Sequence, residues 1–201
     1  MKRQFLFLTL FVFLLGKVFS QGFEGGLLVG PTATQVTGDM LSGYNKLGAM
    51  AGVFTQFVFD DRNSLRMEMY YIQKGARRVP SEYDPRKFLI SLHYVEVPFI
   101  YQYRFYHKFS AQFGLSFAYL FKAYEKDLYG LVDSYGRKPF RNFDFSGQIG
   151  LNYQLSEKFH LGGRFSYSAL FIREKPDFES VAFHNMRQFN DVLQLSVSYS
   201  F

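Results

Sequence analysis

The chain is predicted to be an eight-stranded antiparallel β-barrel that spans a membrane. Three observations carry this: a strict alternation of side-chain character, an apolar leader with a basic start, and connections that alternate between short and long. The alternation is purest after Phe109. The odd positions of Phe109–Phe121, Phe143–Leu155, Phe159–Phe171 and Leu193–Phe201 are all apolar, aromatic or glycine. The even positions between them are polar, charged or glycine, broken only by Ala118, Leu120 and Leu170. A period of two means strands with one greasy and one wet face. Runs this long exceed the usual soluble strand but suit a tilted membrane-spanning one of about 9–11 residues.

The leader comes next. Lys2 and Arg3 precede the apolar run Phe5–Leu15, which is too short for a spanning helix, and Val18-Phe19-Ser20 fits the end of a cleaved export signal. Residues 1–20 are therefore expected to be a signal peptide and 21–201 the barrel domain. Cleavage removes three basic residues and no acid, so the formal charge of +6 falls to +3. That excess is small and scattered, and nucleic acid is not an expected partner. The absence of cysteine excludes a disulfide framework and thiolate metal sites. Export, strands greasy on one face and no apolar run long enough for a transmembrane helix together point to a bacterial outer membrane.

The first strand is expected over about Gly22–Pro31, short and glycine-rich. The second covers about Lys46–Phe59, the third Ser64–Gly75 and the fourth Phe88–Phe105, each with odd residues outward. Short turns follow at 60–63, 106–108 and 156–158, and long polar segments at about 32–45, 76–87, 124–142 and 173–190. That alternation describes periplasmic turns and extracellular loops. A sheet inside a membrane must also close, because an open edge leaves unpaired backbone groups in hydrocarbon. Outward Tyr and Phe cluster at both strand ends, as interfacial girdles do. A water-soluble barrel with the same pattern would turn its apolar face inward around a ligand. The leader and the aromatic last residue, Phe201, favour outward.

Two stretches carry a resemblance. Tyr71-Ile72-Gln73-Lys74-Gly75-Ala76-Arg77 closes the third strand, and Tyr94-Val95-Glu96-Val97-Pro98-Phe99-Ile100-Tyr101-Gln102-Tyr103 forms the fourth. With the glycine-rich opening strand and Leu47–Phe59, they resemble the PorT-like outer membrane β-barrel family, which is similar in architecture to the small OmpA and OmpX barrels. Members often carry an acid just before the tyrosine of the second motif, where this chain has His93. The resemblance implies that relatives assist protein secretion across the envelope.

An eight-stranded barrel is just wide enough to be filled by its own side chains. Arg66, Glu68, Lys74, Glu96, Arg104, Lys122, Asp144 and Arg164 point inward on this register, and buried charge must be paired. They are expected to form a salt-bridged plug. Tyr199 and Phe201 end a strand that suits docking on the barrel-assembly machinery by strand addition. No phosphate loop, nucleophile elbow or HExxH site is present, and no metal, cofactor or enzyme activity is expected. Ser91 and His93 invite a lipid-modifying reading, but Glu96 has the opposite parity to His93. Expected partners are outer membrane lipid, lipopolysaccharide and an envelope protein. The function expected is a membrane scaffold and interaction protein. A small-solute pore and an outer-membrane lipid-modifying enzyme are the alternatives.

Overall fold

The computed structural model describes residues 22–39, 43–80, 87–132, 138–174 and 187–201. The expected signal peptide lies outside these residues. Every regular element described is a strand: β1 Phe23–Thr37, β2 Lys46–Val58, β3 Asn63–Arg78, β4 Phe88–Tyr106, β5 Phe109–Asp127, β6 Gly130–Leu131, β7 Phe143–Gln154, β8 Phe159–Ser168 and β9 Phe189–Ser200. Eight pair antiparallel in a ring, each with its chain neighbour, and β1 closes on β9 from Gly26↔Ser200 to Thr37↔Phe189. The ninth, β6, is a two-residue arm folded back on the end of β5 through Lys126↔Leu131, within the expected 124–142 loop.

Closure gives every ring strand two partners, which removes the unpaired edge that hydrocarbon forbids. The ladders lapse at the prolines inside strands. Pairing between β1 and β9 skips from Val29↔Val197 to Thr32↔Gln194 around Pro31. Pairing between β3 and β4 skips from Met67↔Phe99 to Tyr70↔Glu96 opposite Pro98. Proline has no N–H to donate, so each costs rungs without ending the strand. Thus β1 continues to Thr37 instead of stopping at Pro31, and β3 runs three residues past Gly75.

The outer wall is greasy. Leu27, Val53, Met69, Phe99, Phe113, Leu115, Phe117, Ile149 and Leu195 are among its exposed residues. Aromatic pairs ring it at the short-turn end, with centroids 4.8 Å apart for Phe23–Phe57, 4.7 Å for Phe109–Tyr153 and 5.1 Å for Phe159–Tyr199. Toward the long loops lie Tyr119–Phe143 at 5.4 Å and Tyr71–Phe121 at 6.0 Å. In the turn at 60–63, the Asp60 carboxylate accepts from the Asn63 side chain and the Arg62 and Asn63 amides. These bonds, the Asn63 side chain's first, hold its carboxyl below the usual carboxylate range.

Inside, the wall is not uniformly hydrophilic. Met50, Ile72, Ile90, Leu92, Tyr94, Leu120, Ile172 and Val192 are buried in one apolar cluster toward the long-loop end. The register Met50↔Ile72, Ile72↔Tyr94 and Tyr94↔Leu120 sets four of them in one cross-strand row. The charged layer sits beside this cluster and extends toward the short turns.

Candidate functional site

Two ion clusters fill the middle of the lumen. Arg66 and Glu68 are two apart on β3, so both side chains leave on the inner face. Arg66 Nε lies 2.7 Å from Glu68 Oε1, and Arg164 Nη2 of β8 lies 2.7 Å from Glu68 Oε2. These are charge contacts off the N–H axes, since neither Glu68 oxygen takes an aligned hydrogen bond. Arg66 also stacks its guanidinium 3.6 Å from the Phe54 ring centroid, a favourable cation–π arrangement. Gly150 makes room here, because a Cβ at that position would press on Arg164 Cγ.

The second cluster joins both motifs of the family resemblance. Lys74, from Gln73-Lys74-Gly75, sets its Nζ 2.7 Å from Glu96 Oε2, from Val95-Glu96-Val97-Pro98. The same Nζ donates to Asp144 Oδ2 of β7 at 3.2 Å and lies 5.0 Å from the Tyr94 ring centroid. Gly75 keeps φ +134 and packs its bare Cα against the Ile90 carbonyl, which a Cβ would strike. That backbone state suits glycine alone among common residues.

Neutral side chains tie the clusters together. Gln148 donates from Nε2 to Glu96 Oε1 at 2.7 Å and accepts at Oε1 from Arg164 at 3.3 Å. Tyr70 and Ser116 donate to the same Glu96 oxygen at 3.3 and 2.8 Å. Asn190 donates to Asp144 at 2.9 Å and to the Tyr94 hydroxyl at 3.2 Å. The six ionic side chains carry three positive and three negative charges, and each is at most 5% exposed. Desolvation costs several kcal/mol for each buried ion, so only such reciprocal pairing makes the layer tolerable. A chain of side chains from Arg66 to Asn190 crosses the lumen.

Of the eight charged residues expected in the plug, six meet in this way. Arg104 is exposed beside Ser110, near the short turns. It lines a polar recess with Asp60, Arg62, Gln102 and His160. Lys122 is on the opposite wall from the one its parity gave. A bulge between His93 and Tyr94 pairs His93 with Lys122 but Tyr94 with Leu120, leaving Phe121 extra. Beyond it β5 reverses its facing, so Lys122 turns outward and is exposed. The same reversal brings Glu125 inward, where it meets Arg173 Nη1 at 2.7 Å. This pair had no signal in the sequence.

Ser91 and His93 do come together, with Ser91 Oγ 3.3 Å from His93 Nε2 and the Tyr71 hydroxyl 2.6 Å from Nδ1. Both are on the outer wall, while Glu96 faces Lys74 inside. Tyr199 packs a tilted ring against Phe159, and Phe201 is 72% exposed with its amide bound to the Gly25 carbonyl at 3.0 Å. Phe201 is therefore stitched to β1 at the seam.

A closed ring with a greasy exterior, two aromatic girdles and an ionic interior defines an integral outer membrane β-barrel. Residues 18–171 match the outer membrane protein beta-barrel domain, and the chain belongs to that family. Among solved structures it is similar to Neisserial surface protein A at 14% identity, covering 90% of this chain and 98% of that one with a TM-score of 0.51. It is also similar to Ail of Yersinia pestis (15% identity, 90% and 99% covered, TM-score 0.47). A further match is OprG of Pseudomonas aeruginosa (15% identity, 89% and 94% covered, TM-score 0.39). At such identities the likeness to the Neisserial protein speaks for the fold alone. No curated protein sequence matches the chain.

Proposed function

We propose that this barrel is a sealed membrane scaffold without catalytic activity, which presents its long loops to an envelope protein partner. The observation that carries this reading is the neutral six-ion layer, joined through Gln148 to one network across the lumen. A buried apolar cluster lies next to it, and an eight-stranded barrel is just wide enough to be filled by its own side chains. The resemblance of the Gln73-Lys74-Gly75 and Val95-Glu96-Val97-Pro98 motifs to PorT-like barrels makes assistance of protein secretion the specific role. Tyr199 and Phe201, at the seam, serve as the assembly signal.

Purified full-length barrel in planar bilayers is expected to give no steady single-channel current. Regular current steps from the pure protein would replace the scaffold by a pore. Pull-down from detergent-solubilised envelope is expected to recover a stoichiometric protein partner, and recovery of the barrel alone would remove the interaction role. Incubation with lipopolysaccharide is expected to leave its acyl chains unchanged by mass spectrometry, and an altered acyl pattern would make the protein an enzyme.

A further inference from the structure

The bulge at Phe121 builds a second polar feature on the opposite side of the wall. Register places Gln73, His93 and Lys122 in one outward row and Arg77, Leu89 and Lys126 in another, with Ser91 and Tyr124 paired between them. Gln73 Nε2 donates to the Tyr71 hydroxyl at 2.8 Å, that hydroxyl contacts His93 Nδ1 at 2.6 Å, and His93 Nε2 lies 3.3 Å from Ser91 Oγ. The result is a hydrogen-bonded shelf across β3 and β4. Tyr124 sits between the two lysines, its ring centroid 6.0 Å from Lys122 Nζ and 5.3 Å from Lys126 Nζ.

Three features point to a ligand for this shelf. Its cations Arg77, Lys122 and Lys126 are all exposed on the outer wall. The acids on these strands at the same level turn away: Glu96 to Lys74 and Glu125 to Arg173, both inside, while Asp127 caps the Tyr129 amide in the turn beyond. The shelf also begins where the aromatic girdle of Tyr71, Tyr119 and Phe121 ends. A cation on the lipid face is costly at the membrane midplane and cheap at the interface. The patch therefore stands at headgroup height on the long-loop side, where an outer membrane carries phosphorylated glycolipid.

We propose that this outer wall of β3–β5 binds the phosphate of an outer-leaflet glycolipid. Lys122, Lys126 and Arg77 supply the ionic contacts. Gln73, held in place through the Tyr71 hydroxyl and His93, supplies hydrogen bonding to the adjoining sugar. The site depends on the family's outer membrane location and not on the scaffold reading, so loss of a protein partner would leave it standing.

The test uses full-length barrel in detergent, native mass spectrometry, and three probes: bisphosphorylated lipid A, the same glycolipid with its phosphates removed, and inorganic phosphate. Wild type is expected to prefer the phosphorylated glycolipid, with binding that weakens as salt rises. The double variant K122Q/K126Q is expected to bind it roughly ten- to thirtyfold more weakly, as follows from removing two basic residues at an anionic surface. The charge-matched variant K108Q/K158Q, altered at the short turns, is expected to bind as wild type. Heat-modifiable gel mobility checks that each variant is folded. Equal binding of phosphorylated and dephosphorylated glycolipid, or an equal loss in both variants, overturns the site. Displacement of the glycolipid by inorganic phosphate at comparable concentration makes it a free-anion site and overturns the lipid assignment.

Discussion

Gln148 donates to Glu96 at 2.7 Å while its carbonyl accepts from Arg164, so one neutral amide couples the two ion clusters. The amide gives each charge what it lacks, an N–H for the carboxylate and a C=O for the guanidinium. Gln148→Leu keeps the volume and removes both bonds, together with the one from Nε2 to the Tyr70 hydroxyl at 3.3 Å. It leaves Tyr70 and Ser116 on Glu96, so the cost is that of two or three buried hydrogen bonds, about 2–4 kcal/mol. Urea unfolding of the barrel in vesicles reads this directly.

Removing Lys74 is the harsher change. Lys74→Met strands the Glu96 and Asp144 carboxylates without their shared cation, beside apolar Ile72 and Leu92. Breaking a buried ionic group in this way costs about 3–5 kcal/mol. The expected outcome is loss of the compact, heat-modifiable gel band at urea concentrations the wild type survives. Survival to the same midpoint would show that the layer is a passive filler.

Gly75→Ala tests the backbone at the same place. Its φ of +134 is unsuited to L side chains, and a Cβ would collide with the Ile90 carbonyl. The conformation alone costs about 1–3 kcal/mol, and the collision adds to it. A lowered unfolding midpoint is expected, whereas Gly147→Ala, at an outward site with open space, is expected to be silent.

A loop residue gives the pH prediction. Tyr44 donates to Asp191 Oδ1 at 2.6 Å and pins the connection after β1 onto β9. Burial first, then the hydrogen bond and the charge of Asp191, push its phenol up to about 12. The fold thus favours the neutral phenol. That contribution is intact below the ordinary tyrosine value of 10.0 and is lost as pH rises through about 12. Subtracting the near-ultraviolet phenolate titration of Tyr44→Phe from that of wild type isolates this group; a midpoint near 10 would show that the contact does not persist in solution.

The natural lack of cysteine makes facing directly testable. A single cysteine at Tyr129, which is 95% exposed in the β5–β6 turn, is expected to react with a water-soluble maleimide on intact cells. Cysteines at Phe113 on the outer wall and Gln112 in the lumen are expected to stay unlabelled. When the fluorophore is attached to unfolded protein before insertion into vesicles, only the one at Phe113 should be reached by a lipid-borne quencher.

Much of the ring was legible because outward positions after Phe109 obey a single rule, contact with hydrocarbon. The first half is less plain. Its inward positions Met50, Ile72, Ile90 and Leu92 are themselves apolar, which blurs the contrast between faces. The ionic residues on the inner face could be named from parity, but not their mates: Lys74 and Asp144 are 70 positions apart, and only the register brings them within reach. Lys122 was misplaced for a related reason. A bulge is a property of two strands paired together, and Phe121 carries no mark of it in its own neighbourhood. Pro31 misled in the other direction, since a missing N–H interrupts one ladder while the other ladder carries β1 onward.

The joint between β1 and β9 has a temporal consequence. These are the first and the last strands of the ring to be synthesised, so the wall cannot be finished until the whole barrel sequence has been made. Until Ser200 meets Gly26, the half-built cylinder has two raw margins and no tolerable place in hydrocarbon. The chain must therefore be shielded through its whole passage and zipped shut in a final step, making this seam the natural point for a catalyst of insertion to hold.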